Sequence, residues 1–199
     1  MKRLLDDVYS WSVFDEARQL DFNGWYLRVE DTALLVDPPP LSAEEADELE
    51  RLCAPQVIAI TNANHVRAAR AARDRFGARV MVPEDDEGRV DVDPDGTYAD
   101  GDKFLGGELR AIQLHDQKTP GETALYWAER RLLLVGDALI GKPAGSISLL
   151  PSEKYADVAK ARAGLARLGE LDVRSLLVGD GASLLEEGGE VLRAFLARD

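Results

Sequence analysis

Four short polar segments carry the residue types in this chain that could do chemistry. They are ITNANH (Ile60 to His65), HDQKTPGE (His115 to Glu122), LLVGDA (Leu133 to Ala138) and LLVGDG (Leu176 to Gly181). Each follows an apolar run of strand character. Carboxylates and a histidine just past buried strands are where a rigid scaffold presents a site. Each segment alone is a weak signal, because a Gly-Asp pair after a strand is often only a turn or a helix cap. His65 could equally cap or pack a helix start, and Asp137 and Asp180 could serve as acceptors for backbone N–H groups. GDGASLLEEGG (Gly179 to Gly189) lacks the lysine and the spacing of a phosphate loop, so no nucleotide site is expected there.

The elements that must position these segments can be read from periodicity. NGWYLRVEDTALLVD alternates and then turns continuously apolar, which predicts a hairpin of Val29 to Glu30 with Ala33 to Val36 around Asp31 and Thr32. Three prolines, Pro38 to Pro40, end it. Ser42 and Glu45 spell a capping box that opens a helix to about Leu52. Val57 to Ile60 reads as a short buried strand and His65 to Phe76 as a helix, with Gly77 as its C-terminal cap. Arg79 to Val82 is a further strand. The acidic stretch from Glu84 to Asp102 reads as a solvated loop, since its acids lack the spacing of a calcium loop. Leu109 to Leu114, Thr123 to Trp127, Leu132 to Val135 and Leu176 to Val178 read as strands. Tyr155 to Leu168 and Glu190 to Leu196 read as helices. Strands alternating with helices, then a meander, then strand and helix again, imply sheets covered by helices.

Composition narrows the class. With 45% hydrophobic and 31% charged residues, 199 residues fit one globular domain, 1–199, with a core that needs no staples. The lone cysteine, Cys53, makes no internal disulfide and rules out a multi-cysteine zinc site; burial is the expectation for it. A net charge of −13 repels phosphate backbones and anionic bilayers, so neither nucleic acid nor membrane is an expected partner. Asp6 and Asp7 interrupt the N-terminus before any apolar run, and no long apolar stretch follows. The expectation is an acidic, cytoplasmic protein with no signal peptide. Trp11, Trp25 and Trp127 are expected in the core, with a cleft-lining role for Trp25 or Tyr26 as the lesser alternative. Oligomeric state is not legible.

Taken together and in order, the segments resemble the metallo-β-lactamase superfamily, including its glyoxalase II-like members. TPGETALYW followed by LLLVGDALIG carries the resemblance most specifically. It implies an α/β fold, a four-layer αβ/βα sandwich with the site along one edge of two sheets. That family carries H-x-H-x-D-H after an early strand, a third histidine before T-P-G, a bridging aspartate in a G-D turn and a last histidine before a glycine. Here Ile60 and Asn62 stand at the first two histidines, Asn64 at the aspartate and His65 at the final histidine of the motif. Lys118 replaces the third histidine, Asp137 matches the bridging aspartate, and Asp180 stands at the last histidine. Asp37 matches the anchoring aspartate of the early strand.

The departures carry the functional expectation. Isoleucine cannot ligate, and a protonated lysine has donors only, so the three-histidine subsite should hold no metal. His65, Asp137 and Asp180 resemble the facial triad that holds iron or manganese, with Asn64 as a neutral oxygen donor. The metal expectation is therefore none, or one divalent ion on those three. His115 is a short-reach alternative for the missing histidine. Lys118 is expected to stand in for the lost cation by pairing with a carboxylate. Three functions remain open. One is a degenerate site binding a small molecule or partner, with Asn62 and Lys118 as contacts. Another is a single-metal hydrolase of a small ester, thioester or lactone. The third is metal-free acid–base chemistry, with Lys118 as an electrophile or base and an aspartate as its partner. The catalytic candidates are Asp137, Lys118 and Asn64.

Overall fold

The computed structural model describes residues 1–198; Asp199, the last residue of the expected domain, lies outside them. Two sheets form the centre. The first runs β1 (Lys2–Leu5), β2 (Val8–Asp15), β3 (Leu20–Val29), β4 (Thr32–Val36), β5 (Val57–Ala59), β6 (Arg79–Pro83) and β7 (Gly96–Tyr98), side by side in chain order. The second has the order β12 (Ser175–Val178), β11 (Leu132–Val135), β10 (Thr123–Trp127), β9 (Leu109–Gln113) and β8 (Lys103–Phe104). Strands β4 to β7 are parallel, as are β11 and β12, while the remaining pairs are antiparallel.

The continuous apolar runs follow from burial on both faces. Side chains alternate across a strand, so a strand covered on both sides has no polar positions to show. In β4, Leu34 and Val36 face the second sheet, while Ala33 and Leu35 face the helices α1 (Ala43–Cys53) and α2 (Ala69–Phe76). In β11, Leu132 and Leu134 turn inward between the sheets, and Leu133 and Val135 face α3 (Val158–Gly164) and α4 (Gly188–Leu196). Three apolar layers thus separate helices, sheet, sheet and helices, which is the expected four-layer sandwich. Trp25 and Trp127 are fully or almost fully buried between the sheets, and Trp11 lies in the helix-facing layer. Neither Trp25 nor Tyr26 reaches the cleft described below. Among the described residues, no helix is long and apolar enough to cross a membrane.

Several boundaries differ from the sequence reading. Residues before Asn23, where pattern gave no element, form β1 and most of a long β2–β3 hairpin. The next turn falls on Glu30 and Asp31, with Glu30 at φ 50°, so Thr32 opens β4. The helix expected from His65 starts only at Ala69. Arg67 sits at φ 43°, a left-handed backbone that no α-helix can include. The helix expected over Tyr155 to Leu168 is shorter. Asp157 caps α3 by accepting from Ala159 and Lys160 N–H groups, and a 3₁₀ turn over Ala166–Glu170 follows. The acidic stretch is more than a solvated loop: it contains a 3₁₀ turn (Glu84–Arg89) and β7, and Asp86 is fully buried. Cys53 is only half-buried. The capping box of α1 forms as spelled.

Candidate functional site

The site lies past the C-terminal ends of β4, β5, β9, β11 and β12, on the edge where the two sheets meet. Asp37 follows β4 and is fully buried. Its carboxylate accepts from the Thr61 backbone N–H at 2.7 Å, from Thr61 Oγ1 at 2.5 Å and from His65 Nδ1 at 2.7 Å. That bond turns the other ring nitrogen, Nε2, toward Asp137 Oδ1, 3.6 Å away. Asp37 and Arg67 have φ values of 45° and 43°. Such a backbone costs a non-glycine residue of order 1–3 kcal/mol and persists where surrounding contacts demand it.

Each of the other two carboxylates has its own cation. Lys118 Nζ donates to Asp137 Oδ2 at 2.7 Å. Arg67 Nη2 donates to Asp180 Oδ1 at 2.8 Å and to the Gly179 carbonyl at 3.1 Å. The other terminal nitrogen of Arg67 reaches the carbonyls of Asn23 and, at 3.2 Å, Asp37. The guanidinium lies 5.1 Å from the Phe22 ring centroid. Arg67 therefore fastens β3, β4 and the end of β12 together. Asn23 adds to this seam by donating to the carbonyls of Val178 and Gly181.

Electrostatics follow from this packing. Burial and the neighbouring Arg67 both oppose a charged His65 ring, but Asp37 and Asp137 outweigh them and push its pKa up to about 10. The ring is an imidazolium at neutral pH. Burial works against an ionised Asp137, yet His65 and Lys118 hold its carboxyl well below the usual range. Asp180 goes the other way: burial raises it more than His65 and Arg67 lower it. Glu122 is fully buried and pushed well up, first by burial and then by the charge of Asp137. Its Oε1 accepts from Ala138 N–H, while Oε2 has no hydrogen-bond partner among the described residues.

Two glycines make this packing possible. Gly136 and Gly179 are the glycines of the two Gly-Asp turns, on adjacent parallel strands. A Cβ on Gly136 would collide with Thr61 Oγ1 and lie 2.6 Å from Asn62 Nδ2. One on Gly179 would lie 2.5 Å from His65 Cε1. The repeated LLVGD spelling thus reflects a need for room beside the strands.

His65, Lys118, Asp137 and Asp180, drawn from distant segments, converge in one cleft with Asn64 at its border. Asn62 is fully buried and does not line that cleft. Its Oδ1 accepts from Asn64 N–H, which holds the turn, so it is not placed to touch a ligand. His115 is exposed and does not join the group. Sequence reasoning missed Arg67 and Glu122. Arg67 had one available signal, an arginine two residues past the site histidine where a helix was expected to be running.

The whole described chain, residues 1–198, matches the family model of the metallo-beta-lactamase superfamily. The chain belongs to that superfamily. Solved structures agree on the fold. A metallo-beta-lactamase family protein from Thermus thermophilus is 20% identical with a TM-score of 0.70, covering 96% of this chain and 80% of that one. A metallo-beta-lactamase from Pontibacter korlensis is 15% identical at a TM-score of 0.75, over 100% and 98% of the two chains. The metallo-beta-lactamase FIM-1 from Pseudomonas aeruginosa, in a mono-zinc form, is 14% identical at 0.75, over 98% and 93%. No curated protein sequence matches the chain.

Zinc is the usual metal of this superfamily, so the residues must be tested against it. One ligand atom each from His65, Asp137 and Asp180 lie within 4.8 Å of one another, close enough to surround a single ion. Ile60 offers no donor, and Asn62 and Lys118 are turned to other bonds, so a second ion has no ligand set. A single ion would share the two carboxylates with Lys118 and Arg67, which occupy one oxygen of each, and would need His65 Nε2 without its proton. Lys118→Met leaves Asp137 with one cation fewer. It is expected to lower stability by about 1–3 kcal/mol in urea denaturation, with Lys118→Arg recovering part of the loss.

Proposed function

We propose that this superfamily member has a metal site degenerate for dinuclear zinc hydrolysis and uses its cleft to bind a small molecule without a resident metal. One observation carries the reading: each carboxylate facing the cleft already has a cation from the chain itself, Lys118 on Asp137 and Arg67 on Asp180. With the His65 imidazolium between Asp37 and Asp137, three cations face three carboxylates, and no dication is needed to balance them. The alternative is a mononuclear metal-dependent hydrolase of a small ester, thioester or lactone, favoured by the spacing of the three donors. An ion bound there would supply a polarised water; Asn64, at the cleft border, and Lys118 would contact the substrate. Metal-free acid–base chemistry by Lys118 is less favoured, because its ammonium is held by Asp137.

Calorimetric titration of tag-free protein with zinc and with manganese separates the readings. Wild type should bind either ion weakly. Lys118→His, which removes a repulsive charge and adds a ligand, should bind at least tenfold more tightly. Tight one-to-one binding by wild type would reject the metal-free reading in favour of the mononuclear hydrolase.

A further inference from the structure

The cleft has a volume of about 490 Å³, within the range that holds a small organic ligand. Besides the His65 ring held between Asp37 and Asp137, its charged lining is Arg18, Arg67, Lys118, Lys142 and Lys154 against Asp137 and Asp180. Arg67 and Lys118 are used internally, each on one aspartate. Three cations remain at the mouth. Arg18 is exposed, approaches Asp15 at 3.5 Å and lies over the Phe22 ring, 5.4 Å from its centroid. Lys142 Nζ reaches two carbonyls, of Arg18 and Gln19, at 3.3 and 3.4 Å, and no carboxylate. Lys154 makes no side-chain hydrogen bond or ion pair among the described residues. In a chain of net charge −13, a cleft mouth with uncompensated ammonium groups is a local reversal of sign. The apolar part of the lining is Leu20 and Phe22 from the β2–β3 hairpin, Ile140 after β11, and Leu150 with Pro151, with Arg18 and Arg67 over the Phe22 ring.

We infer that the cleft binds a small organic dianion, a phosphate monoester or dicarboxylate, with its charged head on Lys142 and Lys154 and a short apolar arm against Phe22 and Ile140. The head needs two charges because two ammoniums lack counter-ions. The arm is required because the wall beside them is hydrocarbon and would gain by losing water. This inference rests on the metal-free reading, since a resident dication would offer the anion a competing partner.

The test is calorimetry in EDTA with phenyl phosphate and phthalate, beside phenol for the ring alone and inorganic phosphate for the charge alone. At least one of the two ring dianions should bind tenfold or more tighter than both controls. Lys142→Gln with Lys154→Gln should weaken it by tenfold or more, and added salt should weaken the wild type toward the variant. Both lysines are exposed, and an unchanged thermal midpoint would show that the variant folds. If neither dianion outbinds phenol, or the variant binds as wild type does, the inference is overturned. If the ring dianions bind no tighter than inorganic phosphate, the apolar arm is refuted. The failures are separable. Tight zinc in the metal titration with lysine-dependent dianion binding in EDTA rejects only the metal-free reading. Dianion binding that requires added zinc and ignores the two lysines rejects both.

Discussion

Arg67→Met should be the most damaging conservative-volume substitution in this protein, lowering stability by about 3–5 kcal/mol, the range for breaking a buried ion pair. The side chain of Arg67 is only 9% exposed and that of Asp180 10%. Removing the guanidinium leaves a buried carboxylate with no cation in contact, and it also strips donors from the carbonyls of Asn23, Asp37 and Gly179. Arg67→Lys should recover only part of the loss, because an ammonium cannot reproduce the planar fork that serves several acceptors at once. Chemical denaturation reads both variants. Should Arg67→Met unfold at the wild-type midpoint, the guanidinium would not be holding the seam. Asp180→Asn in the Arg67→Met background should then be compared with Asp180→Asn alone; the double variant should recover stability if the stranded carboxylate is the main source of the loss.

The second large effect is a fall in stability as pH rises through neutrality. His65 has a folded pKa near 10 against an ordinary value of 6.5. Its contribution is therefore complete below pH 6.5 and is lost as pH climbs toward 10. Glu122 has the same sign from lower down, because burial and the charge of Asp137 push its folded pKa well above the 4.5 of the unfolded chain. Each extra proton held by the folded state gives a slope of about 1.4 kcal/mol per pH unit. Stability should begin to decline above pH 4.5 and decline more steeply above 6.5, with His65 alone contributing a loss of about 4 kcal/mol by about pH 9.5. Asp137 acts oppositely: its carboxyl is held low by His65 and Lys118 against burial, so its contribution is lost as pH falls below about 4. Glu122→Gln should remove the shallow limb and leave the His65 limb. His65→Gln should flatten what remains. Urea midpoints that stay level from about pH 6.5 to about 9.5 in wild type would show that the imidazole is not charged in the fold.

The sandwich was readable because its strands are buried on both faces. Runs such as TALLV and LLLV admit no charged residue, and the TPGE and GD turns between them fall at fixed places. His65, Lys118, Asp137 and Asp180 were legible as neighbours for the same reason: residues just past buried strands share one edge. What could not be read were features set by a partner far along the chain. The β2–β3 hairpin carries SWSVFDEARQ, largely exposed, and its register comes from pairing rather than from an apolar pattern. Arg67 looks like any helix-surface arginine until Asn23 and Asp180 are placed beside it. Asn62 was assigned to the cleft by position alone, yet its amide is used to hold the backbone of Asn64.

The seam made by Arg67, Asn23 and Asp180 has a consequence for the life of the molecule in a cell. In a protein whose sheet edge is closed by a bound ion, the strength of that edge rises and falls with the supply of the ion, and starvation or a chelating competitor loosens it. Here the groups of the seam are encoded side chains, so Arg67 and Asn23 join β3 to the end of β12 as soon as the chain has folded.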